Sequence, residues 1–260
     1  MDELKTIAFN CRLTVLDMVK TAKAGHIGGS MSCMDILVAL YHSLMNKNDR
    51  FILSKGHCAE ALYAVLAGKG FISPEELKTF ASFNTKLAEH PTKNINGVDF
   101  ATGALGHGLS LGVGLGLGFK ADKSNAKAYV LMGDGELAEG SIWEAAMSAA
   151  KYKLDNLITI IDRNNLQISG NTEDVMPLEN LSEKFLSFGW EVRTCNGHEP
   201  IEIINQIKTP HTKPLALIAT TIKGYGSKLM ENKADWHHNI PNDDEYKTIK
   251  TELIQRRDNP

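Results

Sequence analysis

Apolar residues recur at helical spacing across positions 4–21, at Leu4, Ile7, Ala8, Cys11, Val15, Met18 and Val19, and this spacing predicts an amphipathic helix. Gly25 to Gly29 breaks the pattern. Ser32 then reads as the N-cap of a second helix through Leu44, with Met34, Ile36, Leu37, Leu40 and Tyr41 toward the core. A short strand at 51–54 runs into Lys55-Gly-His57, and a helix follows over 59–67. Ser73-Pro74-Glu75-Glu76 has a cap, Pro at the first helical position and acids in the first turn, the makings of another helix start. Residues 81–103 are polar and irregular, and a loop that long in a compact domain is more often functional than idle.

The second half alternates more clearly. Continuous apolar runs at 128–132 and 157–161 read as strands buried on both faces, with a helix over 139–152 between them. After a loop at 167–177 come strands at 190–193 and 215–220, separated by a helix near 199–208, and a terminal helix at 243–257. Strands alternating with helices imply an α/β fold: a doubly wound, mostly parallel sheet flanked by helices. The chain length suits one such domain over residues 1–260.

Charge and cysteines narrow the picture. A net charge of −3, with no basic run longer than Arg256-Arg257, argues against a nucleic-acid footprint. The four cysteines, Cys11, Cys33, Cys58 and Cys195, are scattered; without a Cys-x-x-Cys pair they predict free thiols in a reducing cytoplasm. Met1-Asp-Glu-Leu-Lys lacks a signal-peptide pattern. The apolar stretch 101–119 is rich in glycine and holds His107, Thr102 and Ser110, so it reads as a buried loop plus helix rather than a membrane span.

Candidate chemistry sits at two strand ends. Gly133-Asp134-Gly135-Glu136 closes the run at 128–132, and Asn164-Asn165 closes the run at 157–161. A lone Gly-Asp-Gly is ordinarily a turn and Asn-Asn is ordinary loop chemistry. Here each half ends an apolar strand, on the edge where parallel sheets bind ligands. Asp134 and Asn164 would supply two hard oxygens to a divalent ion, which prefers one or two protein oxygens plus phosphate and water. Gly133 and Gly135 would let the backbone approach a diphosphate, and the following helix N-terminus would favour its charge.

The run from Gly133 to Asn165 resembles the thiamine diphosphate motif of the transketolase family. Other segments agree in the family's order: Ala24-Gly-His26-Ile-Gly-Gly29, Leu53-Ser-Lys-Gly-His57, Glu89-His90-Pro91, Thr102-Gly103-Ala-Leu105-Gly-His107-Gly-Leu-Ser110, and Thr220-Thr-Ile-Lys-Gly-Tyr-Gly226 with Trp236-His237-His238. The resemblance covers residues from about 10 to about 240 and implies ketol transfer between sugar phosphates, with the cofactor supplying the difficult electronics. It implies that Asp134, Asn164 and the carbonyl of Leu166 hold Mg²⁺, with Ca²⁺ or Mn²⁺ as substitutes, and that Gly133, Gly135 and Glu136 lie along the diphosphate. Asp162 either sits near the thiazolium or caps its loop. His57 would contact the cofactor, and Gly103 and Leu105 would pass beneath its aminopyrimidine. His26, His57, His90 and either His237 or His238 would line the substrate channel, where imidazoles suit proton transfer near neutral pH. Glu139 matches an acidic residue in a carboxylate relay between subunits, with dipole complementation at a helix start as the alternative.

The sequence departs from the family at Ala104, where proline is usual, and at His107, where glutamine is usual. His107 would instead reach a phosphate or a partner chain. In full-length members the glutamate that activates the cofactor lies in a second domain. The resemblance therefore implies either a split transketolase, this chain being the N-terminal subunit of a heterotetramer with a separate C-terminal, pyrimidine-domain subunit, or a fragment cut from a longer enzyme, and the split subunit is the favoured reading. It implies no activity for this chain alone. A pentose phosphate role and one in the catabolism of a rarer sugar both stay open. Two other readings are another thiamine diphosphate enzyme, of the deoxyxylulose-phosphate synthase or 2-oxo-acid dehydrogenase type, and a non-catalytic cofactor-binding regulatory subunit.

Overall fold

The computed structural model describes residues 3–258. Its helices in chain order are α1 (Glu3–Ala22), α2 (Ile27–Ser32), α3 (Met34–Ala39), α4 (Ala59–Gly68), α5 (Pro74–Leu77), α6 (Gly108–Ala121), α7 (Gly140–Lys151), α8 (Thr172–Val175), α9 (Leu181–Ser187), α10 (Pro200–Lys208) and α11 (Asp243–Asp258). The strands are β1 (Arg50–Leu53), β2 (Ala128–Gly133), β3 (Leu157–Arg163), β4 (Leu166–Gln167), β5 (Gly170–Asn171), β6 (Glu191–Asn196) and β7 (Leu215–Thr220). Five strands form one parallel sheet in the order β1-β2-β3-β7-β6, while β4 and β5 make a small antiparallel hairpin.

Side chains along the strands alternate between two cores. Leu53, Tyr129, Leu131, Ile158, Ile160 and Leu217 pack with α1, α3, α4 and α10; Ile52, Val130, Met132, Leu157, Ile161 and Ala216 pack with α6, α7 and α9. Burial of both faces is why these strands read as continuous apolar runs rather than alternating ones. The chain steps from β1 to β2 to β3, passes on to β6, then returns to β7. Right-handed crossovers in opposite directions along the sheet place α9 and α10 on opposite faces. The expected doubly wound sheet is the observed one.

Three local expectations need correction. The second helix starts at Ile27 rather than after Ser32, breaks at Cys33 and ends in a π-helical turn at Leu40–Leu44. Gly28 and Gly29 belong to this helix because contacts, not propensity, decide there: a Cβ on Gly28 would lie 2.5 Å from the Trp236 carbonyl oxygen, and one on Gly29 2.8 Å from the Cys58 sulfur. The loop at 167–177 contains the β4-β5 hairpin and α8, and α9, capped by Asn180, carries too short an apolar pattern to stand out. The helix at Ser73 is a single turn; its hydroxyl accepts from the Glu76 amide at 3.2 Å. Residues 81–103 carry neither helix nor strand, as expected. All four cysteines are free and buried, and no helix among the described residues is long and apolar enough to cross a membrane.

The glycines of α6 divide by face. A Cβ on Gly112 would lie 2.6 Å from Val130 Cγ2 and 3.0 Å from Leu157 Cδ1, whereas one on Gly114 would meet nothing within 4 Å. Gly112 is therefore what seats the helix on the sheet. Gly112→Ala should destabilise the fold by about 1–3 kcal/mol through overpacking. Gly114→Ala should stabilise it by about 0.5–1 kcal/mol by relieving glycine's entropy cost in a helix. Denaturant midpoints of the two variants moving in the same direction would refute this placement.

Candidate active site

The C-terminal edge of the sheet collects polar groups from four strands. Asp162, near the end of β3, is fully buried. Its Oδ2 accepts hydrogen bonds from the Lys55 ammonium, from Ser32 Oγ at 2.6 Å and from Asn164 Nδ2 at 3.4 Å; its Oδ1 accepts from Thr221 Oγ1. Lys55, just past β1, also donates to the Gly29 carbonyl at 3.2 Å. Burial works to lower the Lys55 pKa, but the adjacent Asp162 carboxylate, together with Cys58 and Cys33, outweighs it and holds the ammonium well above its ordinary value. Asp162 thus ties α2, β1 and β7 to β3 and also accepts from Asn164 in its own loop.

Asp134 follows β2 and is buried. Its Oδ1 accepts from the Gly135 amide at 2.8 Å, and its Oδ2 from the Asn165 amide at 2.6 Å and Arg163 Nη1 at 3.1 Å. Asn165 sits at φ 64°, a left-handed conformation that Asn tolerates better than most residues. The Leu166 amide then donates to Asn164 Oδ1 at 3.1 Å, and Lys223 Nζ to the Leu166 carbonyl at 3.4 Å. Burial first, then repulsion from Asp162, raises the Asp134 pKa against the pull of Arg163. A cation would relieve that strain, and a carboxylate, an amide oxygen and a carbonyl make a set suited to a hard divalent ion.

Asp134, Asn164 and Leu166 line a small cavity of about 100 Å³ together with His57, Lys223 and His237. Gln167, also on the cavity, has a buried amide nitrogen without a hydrogen-bond partner. Cationic and amide donors beside hard oxygens fit a diphosphate carried with its metal. Gly133, Gly135 and Leu105 border the same cavity. Beside it runs a 3-10 turn, Gly135–Ala138, and α7 starts at Gly140, within one residue of the expected helix start. Glu136 shapes this turn. Its buried carboxylate accepts from Ser54 Oγ, from the Gly106 amide at 2.9 Å and from the Gly133 amide at 3.2 Å. It therefore joins the ends of β1 and β2 to the segment before α6.

Above the cavity five imidazoles converge. The His26 ring centroid lies 5.5 Å from His57, 5.9 Å from His90, 5.6 Å from His237 and 4.7 Å from His238. His237 is brought there by the 3-10 turn Ala234–His237, whose Trp236 carbonyl passes over side-chain-less Gly28. His237 Nδ1 lies 2.8 Å from Lys223 Nζ. Burial first, then Lys223, lowers the His237 pKa to about 3; burial above all lowers His26 to about 4, and burial also lowers His90. Burial pulls Lys223 down to about 8. Both candidates of the last motif join the cluster: His237 lines the cavity, while His238 is more exposed at the rim beside Glu89. His107 does not join it; it is exposed, before α6. Gly103 lies against the His90 ring, and Glu139 is exposed at the start of α7 without a side-chain capping bond.

Four residues that shape this site have no part assigned to them from sequence. Lys55 and Lys223 sit inside quoted motifs, and each follows a buried strand, which was the available signal. Gln167 gave none. Glu60 lies within an apolar helical run, an unusual place for an unpaired acid. Its Oε1 accepts from the His26 amide at 2.6 Å, and its Oε2 is buried without a partner. Burial raises its pKa from 4.5 to about 8.

Glu60 has a consequence for stability. The folded protein keeps this carboxyl protonated to about pH 8, whereas an unfolded chain releases the proton near 4.5. The folded state then binds more protons, so this group's contribution to stability falls as pH rises through that window, by at most about 1.4 kcal/mol per pH unit, and is constant above it. Glu60→Gln should flatten the fall. Chemical denaturation at pH 5 and pH 8 giving the same decline in both proteins would sink this assignment.

Comparison with known proteins places the site in a family. Residues 4–259 match the family described as transketolase, thiamine diphosphate binding domain. The chain is 49% identical over 257 residues to one subunit of the apulose-4-phosphate transketolase of Phocaeicola vulgatus, covering 94% of this chain and 92% of that protein. It is 39% identical over 255 residues to 6-deoxy-6-sulfo-D-fructose transketolase subunit SqwG of a Clostridium species, covering 93% of each. Human transketolase is 36% identical over 247 residues, but these cover only 40% of its length. The crystal structure of transketolase from Campylobacter jejuni superposes with a TM-score of 0.91 at 34% identity, over 98% of this chain and 43% of that one. The chain thus spans about two fifths of the single-chain transketolases and nearly all of the Phocaeicola and Clostridium subunits. It belongs to the transketolase family, as a thiamine diphosphate-binding N-terminal subunit of the split kind.

Proposed function

We propose that this chain, acting as one domain over residues 1–260, holds the diphosphate and metal end of thiamine diphosphate in a two-subunit transferase that moves a two-carbon ketol unit between sugar phosphates. The observation that carries the reading is the stacking of two sets of groups. A hard-oxygen set, Asp134, Asn164 and the Leu166 carbonyl, lies under a ring of imidazoles centred on His26. Thiamine diphosphate supplies the electron sink that allows a carbon–carbon bond beside a carbonyl to break.

This chain's residues do the rest. Asp134, Asn164 and Leu166 hold Mg²⁺, with Ca²⁺ or Mn²⁺ able to substitute; Lys223, the Gln167 amide, His57 and the Gly133–Glu136 turn hold the diphosphate. Asp162 fixes the loops that carry them, and Gly103 and Leu105 support the ring end. His26, His90 and His237 are neutral near pH 7 because burial lowers their pKa values, so each can accept a proton from a sugar hydroxyl. His57 adjoins them, and His238 meets the sugar at the entrance. Glu139, exposed at the start of α7, serves the carboxylate relay between copies of this chain, and the assembly is a heterotetramer. The relatives that match over nearly their whole length are themselves named as subunits, which implies a separate partner. That partner completes the site with the activating glutamate. Four free cysteines suit a cytoplasmic setting.

Among donors, the 49% identity to an apulose-4-phosphate transketolase subunit favours a branched or otherwise unusual ketose phosphate over a pentose phosphate substrate. The test is ketol transfer with thiamine diphosphate and Mg²⁺, comparing apulose 4-phosphate chemistry with transfer from xylulose 5-phosphate. It is run on this chain alone and on its mixture with the companion C-terminal chain. Activity is expected only in the mixture; turnover by the chain alone would overturn the split-enzyme reading.

Asp134→Ala should weaken cofactor binding by more than the roughly 10–100-fold typical of losing an outer-shell partner of a metal ligand. Titration of thiamine diphosphate with Mg²⁺ into the mixture, followed by calorimetry, reads this directly. An unchanged affinity would remove Asp134 from the metal site.

A further inference from the structure

A second set of metal-ligating atoms lies at the mouth of the cleft, apart from the hard-oxygen set. His26 Nδ1, Glu89 Oε2 and His238 Nε2 all lie within 4.8 Å of one another. Glu89 Oε2 is 3.9 Å from His26 Nδ1 and 3.7 Å from His238 Nε2. Both separations exceed a hydrogen bond. His26 Nδ1 is buried and has no hydrogen-bond partner. The three atoms stand close together without hydrogen-bonding to one another.

We propose that His26, Glu89 and His238 bind a borderline divalent transition metal, Zn²⁺ foremost, at the entrance to the cleft. Two imidazoles and a carboxylate form a set that zinc takes in three-ligand sites, leaving a fourth position open. At zinc–nitrogen and zinc–oxygen distances near 2.0–2.2 Å, tetrahedral neighbours stand about 3.4 Å apart, so the donors need to close only modestly. They can: the His238 side chain is 55% exposed and Glu89 35%, and Glu89 lies in the stretch without regular structure. His26 Nδ1, without a hydrogen-bond partner, has no existing bond to give up to a metal. Nitrogen donors exclude Mg²⁺ from this position, as the all-oxygen set below disfavours zinc by comparison.

The bound ion joins three separate segments across the opening: the start of α2, the loop before α6 and the turn that carries His237. On the functional reading above, it stands in the path of the sugar. Zinc is then a reversible block on substrate entry, while direct binding of zinc does not depend on that reading.

The experiment is calorimetric titration of Zn²⁺ into metal-stripped chain at neutral pH, without thiamine diphosphate and with Mg²⁺ in excess. One zinc per chain is expected. Glu89→Gln and His238→Ala should each weaken it at least tenfold, and His42→Ala, distant from the cluster, should leave it unchanged. Co²⁺ in place of zinc should give the visible absorption of a tetrahedral site, lost in both variants while their circular dichroism stays native. Absence of stoichiometric zinc binding, or binding indifferent to both substitutions, overturns the proposal.

Discussion

Lys55 and Asp162 form a charge pair sealed beneath the strand ends, and the catalytic edge is organised around it. The pair spans β2, joining the second residue after β1 to the end of β3, and its spare hydrogen-bonding capacity engages Ser32, Gly29 and Thr221. Such a pair is weak grounds for net stability, because desolvation offsets attraction. Removing one member is another matter, since it leaves an uncompensated buried charge, at a cost of about 3–5 kcal/mol. Its main effect is geometric: α2, β1, β3 and β7 are held in one register, and the loops that carry Asp134, Asn164, His57 and Lys223 grow from those anchors.

Above this anchor the site divides into two electrostatic regimes within a few residues. At the lower end, the buried carboxylates of Asp134 and Asp162 repel one another. At the upper end, buried imidazoles are pushed toward neutrality. Lys223 stands between, touching the Leu166 carbonyl on one side and His237 on the other. Burial does opposite things to acids and bases, so one low-dielectric cleft raises the pKa of Asp134 while lowering those of His26, His90 and His237.

Much of this was legible in the sequence. β2, β3 and β7 announced themselves because burial on both faces demands apolar residues at every position. The polar residues that close β2 and β3 stood out against those runs. The histidines could be gathered because each sits in a recognisable loop motif, though their meeting around His26 and the joint placement of His237 and His238 are three-dimensional facts. What could not be read was governed by contact. Gly28 and Gly29 look like helix breakers, yet they are helical because Trp236 and Cys58 occupy the space where side chains would be. Lys55 looks like any strand-terminal lysine until its partner, more than a hundred residues away, is known. Glu60 looks like one face of a helix until the His26 amide is seen against it.

The strand order carries one more implication, for the order in which the protein is made. β7 lies between β3 and β6 although it follows both in the chain. A growing chain that has emerged only through β6 has two strands with no shared edge and a gap where β7 belongs. Thr221, Lys223 and His237 all follow that missing strand. The sheet closes and the cleft acquires its last walls only after β7 has emerged, through contacts of long sequence separation that are slow to form. Until then Asp162 lacks its Thr221 partner, and the cleft lacks Lys223 and His237. Closure of the sheet and acquisition of the cleft's last side chains therefore depend on the same late part of the chain.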